Sequence, residues 1–259
     1  MSRYSTRSTG FQFDWDWSVT PAIKFLVIAC TAVFLAQELS RAFFGPAGWN
    51  FWLVYFGLVP RYVTHGFLWQ PFTYLFLHES IWHILINMFV LWMFGRDVER
   101  AWGAKRFYIY YFLCGVGAGV INVIVKTILD PRGLNTALTP TIGASGAIFG
   151  VLLAAAILFP HQRVLLIPFP VAISMRVYVV IMGVIEFFGT LGAGGDNVSH
   201  VCHLGGMLVG YLYLRRGSYL YGYRNKLSDW KRRRLIRKFE VYKRRHGDEP
   251  PRPPDNWVN

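Results

Sequence analysis

Six apolar runs constrain this chain more than any other feature. A helix rises 1.5 Å per residue, so about 18 to 20 apolar residues are needed to cross ~30 Å of hydrocarbon. Runs approaching that length lie at roughly Ala22–Ser40, Ser80–Gly95, Arg106–Val125, Ala144–Phe159, Val171–Leu191 and Val198–Leu214. Lipid offers no partner to backbone N–H and C=O groups, so each run is expected to satisfy its own as a helix. The expected fold class is an all-α membrane protein, a bundle of six transmembrane helices. Composition agrees: 54% hydrophobic and only 16% charged residues make the chain too apolar for an ordinary soluble domain. The expected organisation is a cytoplasmic N-terminal segment at 1–20, a six-helix domain at 21–216 and a basic cytoplasmic tail at 217–259. The first 20 residues carry Arg3, Arg7, Asp14 and Asp16 without an apolar core, so no removable signal peptide is expected.

A net charge of +13 invites a nucleic-acid reading, which its distribution opposes. From Arg215 onward there are 14 Lys and Arg against 5 Asp and Glu, so +9 of the +13 lies in the tail. Within it, Leu235, Phe239 and Tyr242 form an apolar stripe among basic residues, which suits a helix lying on anionic lipid headgroups, with a solvated basic tail as the alternative. No nucleic-acid recognition module accompanies the charge. Cys30, Cys114 and Cys202 are odd in number and lie inside apolar runs, so no disulfide framework is expected. Basic residues concentrate at the amino end, at Arg96–Arg106, at His161–Arg176 and in the tail, which places both termini in the cytoplasm. The connections Arg41–Leu77, Lys126–Ile142 and Gly192–Asn197 then face outward. The first is rich in Trp, Phe and Pro and is expected to lie partly in the outer interface.

The stretch HESIWHILIN, His78 to Asn87, resembles a zinc-protease helix only superficially. A shared ion needs histidines four residues apart, whereas His78 and His83 are five apart, about 140° around a helix. No metal is expected there, nor at His200, Cys202 and His203, whose side chains would diverge around one helix. His83 and Asn87 do share a face. With the second run pointing inward, both fall in its outer half. The fourth run, introduced by Thr141-Ile142-Gly143-Ala144-Ser145-Gly146, is 16 residues or about 24 Å long, too short to span. It is expected to begin below the outer surface, with Ser145 at the mouth of a wet or protein-lined cavity. His200 and His203 lie near the outer end of the sixth run. Polar groups from three helices thus share one layer, and clustered polar residues in a bilayer point to a functional site.

Gly146-Ala-Ile-Phe-Gly150 and Gly206-Met-Leu-Val-Gly210 are both GxxxG patterns, which let helix backbones approach closely. If those faces meet, Ser145 and His203 differ in height by only about 3 Å, and His203 shares the stripe of Gly206 and Gly210. A serine bonded to a neutral histidine is the pairing nucleophilic catalysis needs. The expected donors to a developing oxyanion are the Ser145 N–H at a helix amino end and the side chains of His83 and Asn87. Neither Glu186 nor Asp196 has a spacing that sets it behind His203, and neither is expected to be essential.

At these residues the chain resembles the rhomboid family of intramembrane serine proteases. GASG at Gly143–Gly146 is similar to the family's nucleophile motif, HLGGMLVGY at His203–Tyr211 to its histidine helix, and HESIWHILIN to its second-helix pattern. GRDVERAWGAKRF resembles a connection in which Glu99 serves a structural role. The resemblance implies a six-helix rhomboid-like bundle and a Ser145–His203 dyad without a third acid. It further implies endopeptidase action on transmembrane segments of other proteins, without cofactor or metal. Two departures stand out: Gln70 follows Trp69 where the family often has arginine, and Phe149 replaces a common tyrosine. The expected location is a bacterial plasma membrane. Two rival readings are a proteolytically inactive relative that binds membrane segments for quality control, and a transporter. The presence of both Ser145 and His203 weighs against the first, and the lack of an obvious internal repeat against the second.

Overall fold

The computed structural model describes residues 18–130, 137–166, 171–191 and 200–216. The stripe at Leu235, Phe239 and Tyr242, Asp196 and almost all of the 1–20 segment lie outside them. The described residues up to Tyr211 belong to one compact unit, and 212–259 form a second, of which residues 212–216 are described and helical.

The chain is mainly helical. Its elements run α1 (Pro21–Phe56), α2 (Pro60–Thr64), α3 (Gln70–Thr73), a 3-10 turn at Tyr74–Phe76, α4 (Ile81–Val90), a π turn at Leu91–Gly95, α5 (Arg96–Trp102), α6 (Ala104–Leu129), α7 (Ser145–Leu158), strands β1 (Arg163–Leu166) and β2 (Val171–Ser174), and α8 (Met175–Leu191). Residues 200–211, here α9, are helical from the first described position. Among the described residues three helical stretches are long and apolar enough to cross a membrane: Pro21–Phe56, Ile81–Trp102 and Ala104–Leu129.

Four boundaries differ from the sequence reading. α1 continues past Ser40 to Phe56, with Gly45 at φ 60° beside Pro46 breaking its course, so much of the expected outer connection is helix. The second span runs through the π turn into α5, ending where Gly103 takes φ 79°; a one-residue widening keeps the helix going where a loop was expected. Val171–Ser174 belongs to an antiparallel pair with Arg163–Leu166, so the fold is not purely α and α8 starts at Met175. Alternating β-branched residues beside a facing Arg-Val-Leu-Leu stretch suit a pleated pair. α7 has 14 residues, shorter even than the run that suggested it.

The interior is built from aromatic rings and close backbone approaches. Tyr74, Tyr110, Tyr111 and Phe107 are fully buried, and the first two anchor neighbours through hydroxyl bonds of 2.7 Å to the Gly115 and Gly150 carbonyls. Glycine and alanine line the α6–α7 seam: a Cβ on Gly115 would lie 3.1 Å from Ala147, and one on Gly146 would lie 3.0 Å from Ala118. Such seams exchange side-chain bulk for dispersion contact between backbones, the means of helix association where lipid removes the hydrophobic drive. Large apolar residues such as Phe25, Ile28, Leu113 and Phe188 face outward.

Two polar side chains set the frame. Glu99 caps the start of α1, accepting from Ala22 N at 2.9 Å, from Ile23 N at 3.1 Å and from the Thr20 hydroxyl, so orphan helix donors meet an anion where the macrodipole is positive. Gln70 is fully buried; its carbonyl accepts from Val59 N at 3.0 Å and its amide donates to the Val54 carbonyl at 2.8 Å. A neutral carboxamide thus ties the first loop together, with no need for the arginine that the family often carries.

Candidate functional site

Ser145 opens α7, and the backbone before it explains its exposure to a cavity. Thr141 pairs with Leu58 through two 2.9 Å backbone bonds, and Gly143 N donates to the Tyr74 carbonyl at 2.9 Å, so the segment is pinned to the first loop. Gly143 then turns with φ 119°, and a Cβ there would stand 2.8 Å from His83 Nε2. Only glycine meets both conditions. The helix that follows leaves its first N–H groups without intrahelical partners at the cavity.

α9 approaches α7 backbone to backbone. A Cβ on Gly206 would collide with the Gly146 carbonyl, and one on Gly150 would stand 3.2 Å from the Gly206 carbonyl. Gly210 lies against the Tyr110 hydroxyl and Cys114 Sγ. The two glycine motifs therefore meet, as the spacing predicts, and the register brings His203 Nε2 to 2.7 Å from Ser145 Oγ. Phe149, one turn further along α7, stacks under the His203 ring at 4.4 Å and 12°.

His83 and Asn87 reach the same cavity from α4. Ser80 caps this helix, accepting from His83 N at 3.2 Å. Glu79 N donates to His83 Nδ1 at 3.3 Å, which assigns the ring proton to Nε2, the nitrogen nearest Gly143. Asn87 spends one amide hydrogen on the His83 carbonyl at 2.9 Å. The cavity, about 570 Å³, is lined by His83, Asn87, Ser145, Phe149 and His203, with Trp49 and Glu79 at its walls.

His78 departs from the helical-wheel argument because α4 begins only at Ile81. Its ring instead meets the edge of His83 at 5.1 Å and contacts the Phe76 carbonyl through Nδ1 at 3.2 Å. Burial, and secondarily the nearby His83, pushes His78 down to about 3, so it stays neutral.

Glu186, which the sequence reading set aside for want of a spacing behind His203, stands there in the structure. Its Oε2 lies 2.9 Å from His203 Nδ1 and 2.7 Å from His200 Nδ1. The His200 contact is a well-formed hydrogen bond, whereas the His203 contact has the distance but not the alignment of one. Glu186 stands 14 and 17 residues before its partners, on another helix, and no local spacing links them. The available signal was a carboxylate in the middle of an apolar run, costly unless paired.

A Rhomboid domain model matches residues 65–219. The chain is 30% identical over 200 residues to Rhomboid protein 1, mitochondrial, of Saccharomyces cerevisiae, covering 75% of this chain and 56% of that protein. It is 30% identical over 165 residues to Presenilin-associated rhomboid-like protein A, mitochondrial, of Danio rerio, covering 63% and 39%. Against Rhomboid protease GluP of Bacillus subtilis it is 30% identical over 149 residues, covering 58% and 26%. The chain thus spans only about a quarter to a little over half the length of these relatives. The matched stretch takes in His83, Asn87, Ser145, Glu186 and His203 and exceeds half of the sequence, and on that ground this protein belongs to the rhomboid family.

Proposed function

We propose that this membrane protein is an intramembrane serine endopeptidase that cuts transmembrane segments of other membrane proteins near the outer face. Ser145 is the nucleophile and His203 its general base. The 2.7 Å contact between Ser145 Oγ and His203 Nε2, inside a cavity large enough for a few residues of extended peptide, carries the reading. The Ser145 hydroxyl proton passes to Nε2 as Oγ attacks a peptide carbonyl, and the imidazolium returns it to the leaving amine. The oxyanion is met by the Ser145 N–H, by His83 Nε2–H and by the second amide hydrogen of Asn87. The name of the Bacillus subtilis relative, a rhomboid protease, supports the same chemistry.

The finer topology belongs to this proposal: six spans, both termini cytoplasmic, the domain at 21–216 and the basic tail on anionic headgroups. Water enters from outside, and the substrate helix unwinds locally to expose its carbonyl, which favours small or helix-breaking residues at the cleavage site. No metal or cofactor takes part. The membrane is a bacterial plasma membrane or, as the names of two relatives suggest, a mitochondrial one.

Labelling by a fluorophosphonate probe tests the assignment. Wild type is expected to label covalently and Ser145→Ala to lose all labelling. Equal labelling of the two would remove Ser145 as the nucleophile.

A further inference from the structure

Glu186 sits where a general base needs support. For His203 Nε2 to accept the Ser145 proton, the neutral ring must carry its own hydrogen on Nδ1, and the atom facing Nδ1 at 2.9 Å is Glu186 Oε2. The seam around the carboxylate is shaped for it. Gly183 and Gly189 flank Glu186 by three residues on the same face of α8: Gly183 passes Met207 of α9, and a Cβ on Gly189 would stand 2.5 Å from the His200 ring. Glycine on both sides lets α8 approach α9 closely enough for one oxygen to reach two histidines.

We propose that Glu186 is a positioning residue for His203. It fixes the ring with the hydrogen on Nδ1 and steadies the imidazolium that forms when the serine proton arrives, while His200 holds the carboxylate in place from the other side. The proton moves from Ser145 Oγ to His203 Nε2 and no further; Nδ1 keeps its hydrogen and Glu186 stays ionised. This departs from the bare dyad that the resemblance implies. It rests on the reading of Ser145 and His203 as nucleophile and base.

The same three side chains come close enough to suggest a metal site. Their separations argue for direct contact instead, a hydrogen bond at His200 and a close pair at His203: ligands of a tetrahedral zinc, with bonds near 2.0–2.2 Å, stand roughly 3.3 Å apart, and 2.7 and 2.9 Å are shorter. An ion would have to spread the cluster.

The experiment compares wild type, Glu186→Gln, Glu186→Asp, His200→Ala and Ser145→Ala as full-length protein in detergent. It measures the rate of fluorophosphonate inactivation, kcat and KM on a transmembrane reporter substrate, and the thermal midpoint. Glu186→Gln keeps size and hydrogen bonding but not charge. It is expected to lower kcat and the inactivation rate together by about 10- to 100-fold with KM and thermal midpoint unchanged, a milder effect than loss of the acid in a full triad. Glu186→Asp should recover part of that loss, and His200→Ala should cost only a few-fold. A kcat within twofold of wild type in Glu186→Gln, or a loss matched by a fallen midpoint or a raised KM, would overturn the role. With wild type still labelled at Ser145, either result removes Glu186 alone; persistent labelling of Ser145→Ala removes the nucleophile assignment beneath it.

Discussion

α7 brings Ser145 to the cavity and α8 brings Glu186 to the far side of His203, but the two helices are held in opposite ways. α7 is buried along most of its length, with Gly146, Ala147, Gly150, Val151, Ala154 and Ala155 all in the interior. Its backbone touches α9 and its alanines meet α6, so Ser145 has little freedom to move relative to His203. α8 buries only Met175, Val179 and Glu186 and turns Val180, Val184, Ile185, Phe187 and Phe188 outward. Small residues fix Ser145 through backbone contact, whereas Glu186 is one of only three buried side chains on its helix. The two helices are therefore held by absent side chains in one case and by a few buried ones in the other.

Breaking the first kind of attachment should have the largest consequence. Gly206→Leu drives a branched side chain into the Gly146 carbonyl, and neither backbone has room to yield. The expected result is loss of probe labelling by at least 100-fold, of the order expected when a 1 Å misplacement separates nucleophile and base. The fall in thermal midpoint should be comparable to that of an overpacked core. A Gly206→Leu protein that labels at the wild-type rate would mean that the α7–α9 contact does not set the register.

Phe149 tests the same seam more gently. Its ring stacks on His203 at 4.4 Å, a contact worth about 0.5–1.5 kcal/mol beyond area burial, so Phe149→Leu should slow labelling by roughly 2- to 10-fold. Phe149→Tyr should label like wild type, because the stacking face is kept. A much larger loss in Phe149→Leu would show that the ring does more than stack, and a gain in Phe149→Tyr beyond that range would show that the hydroxyl common in the family does more than accompany a ring.

The contrast also explains what could be read from the chain beforehand. Ser145 and His203 were legible because GxxxG motifs convert helical arithmetic into a contact register, and both motifs sit within a few residues of the side chains that they align. His83 and Asn87 were legible for the same local reason, being one turn apart. Glu99 was legible only through its resemblance, since its partners Ala22 and Ile23 lie more than 70 residues away. Glu186 was visible as a carboxylate in an apolar run but was wrongly placed, because its register depends on Gly183 and Gly189 meeting Met207 and His200, which no local spacing reveals. The π turn at Leu91–Gly95 and the pairing of Arg163–Leu166 with Val171–Ser174 were likewise missed, because apolar residues there satisfy span, turn and strand alike. His78 was misjudged for a simpler reason: a wheel was drawn through residues that precede the helix.

The smallest expected effect lies on the outer side of α8. Phe188 is 64% exposed and its ring meets the edge of its exposed neighbour Phe187 at 5.7 Å, so removing it gives up a surface contact and no buried one. Phe188→Ala should change the thermal midpoint by no more than about 1 kcal/mol equivalent, the worth of one exposed ring pair, and leave the labelling rate within twofold. Deleting a buried phenylalanine costs about 3–5 kcal/mol. A loss of that size at Phe188 would mean that this face is covered in the working protein and that α8 has a second attachment. The division between a helix held by backbone contact along its length and one held by a few buried side chains would then fail.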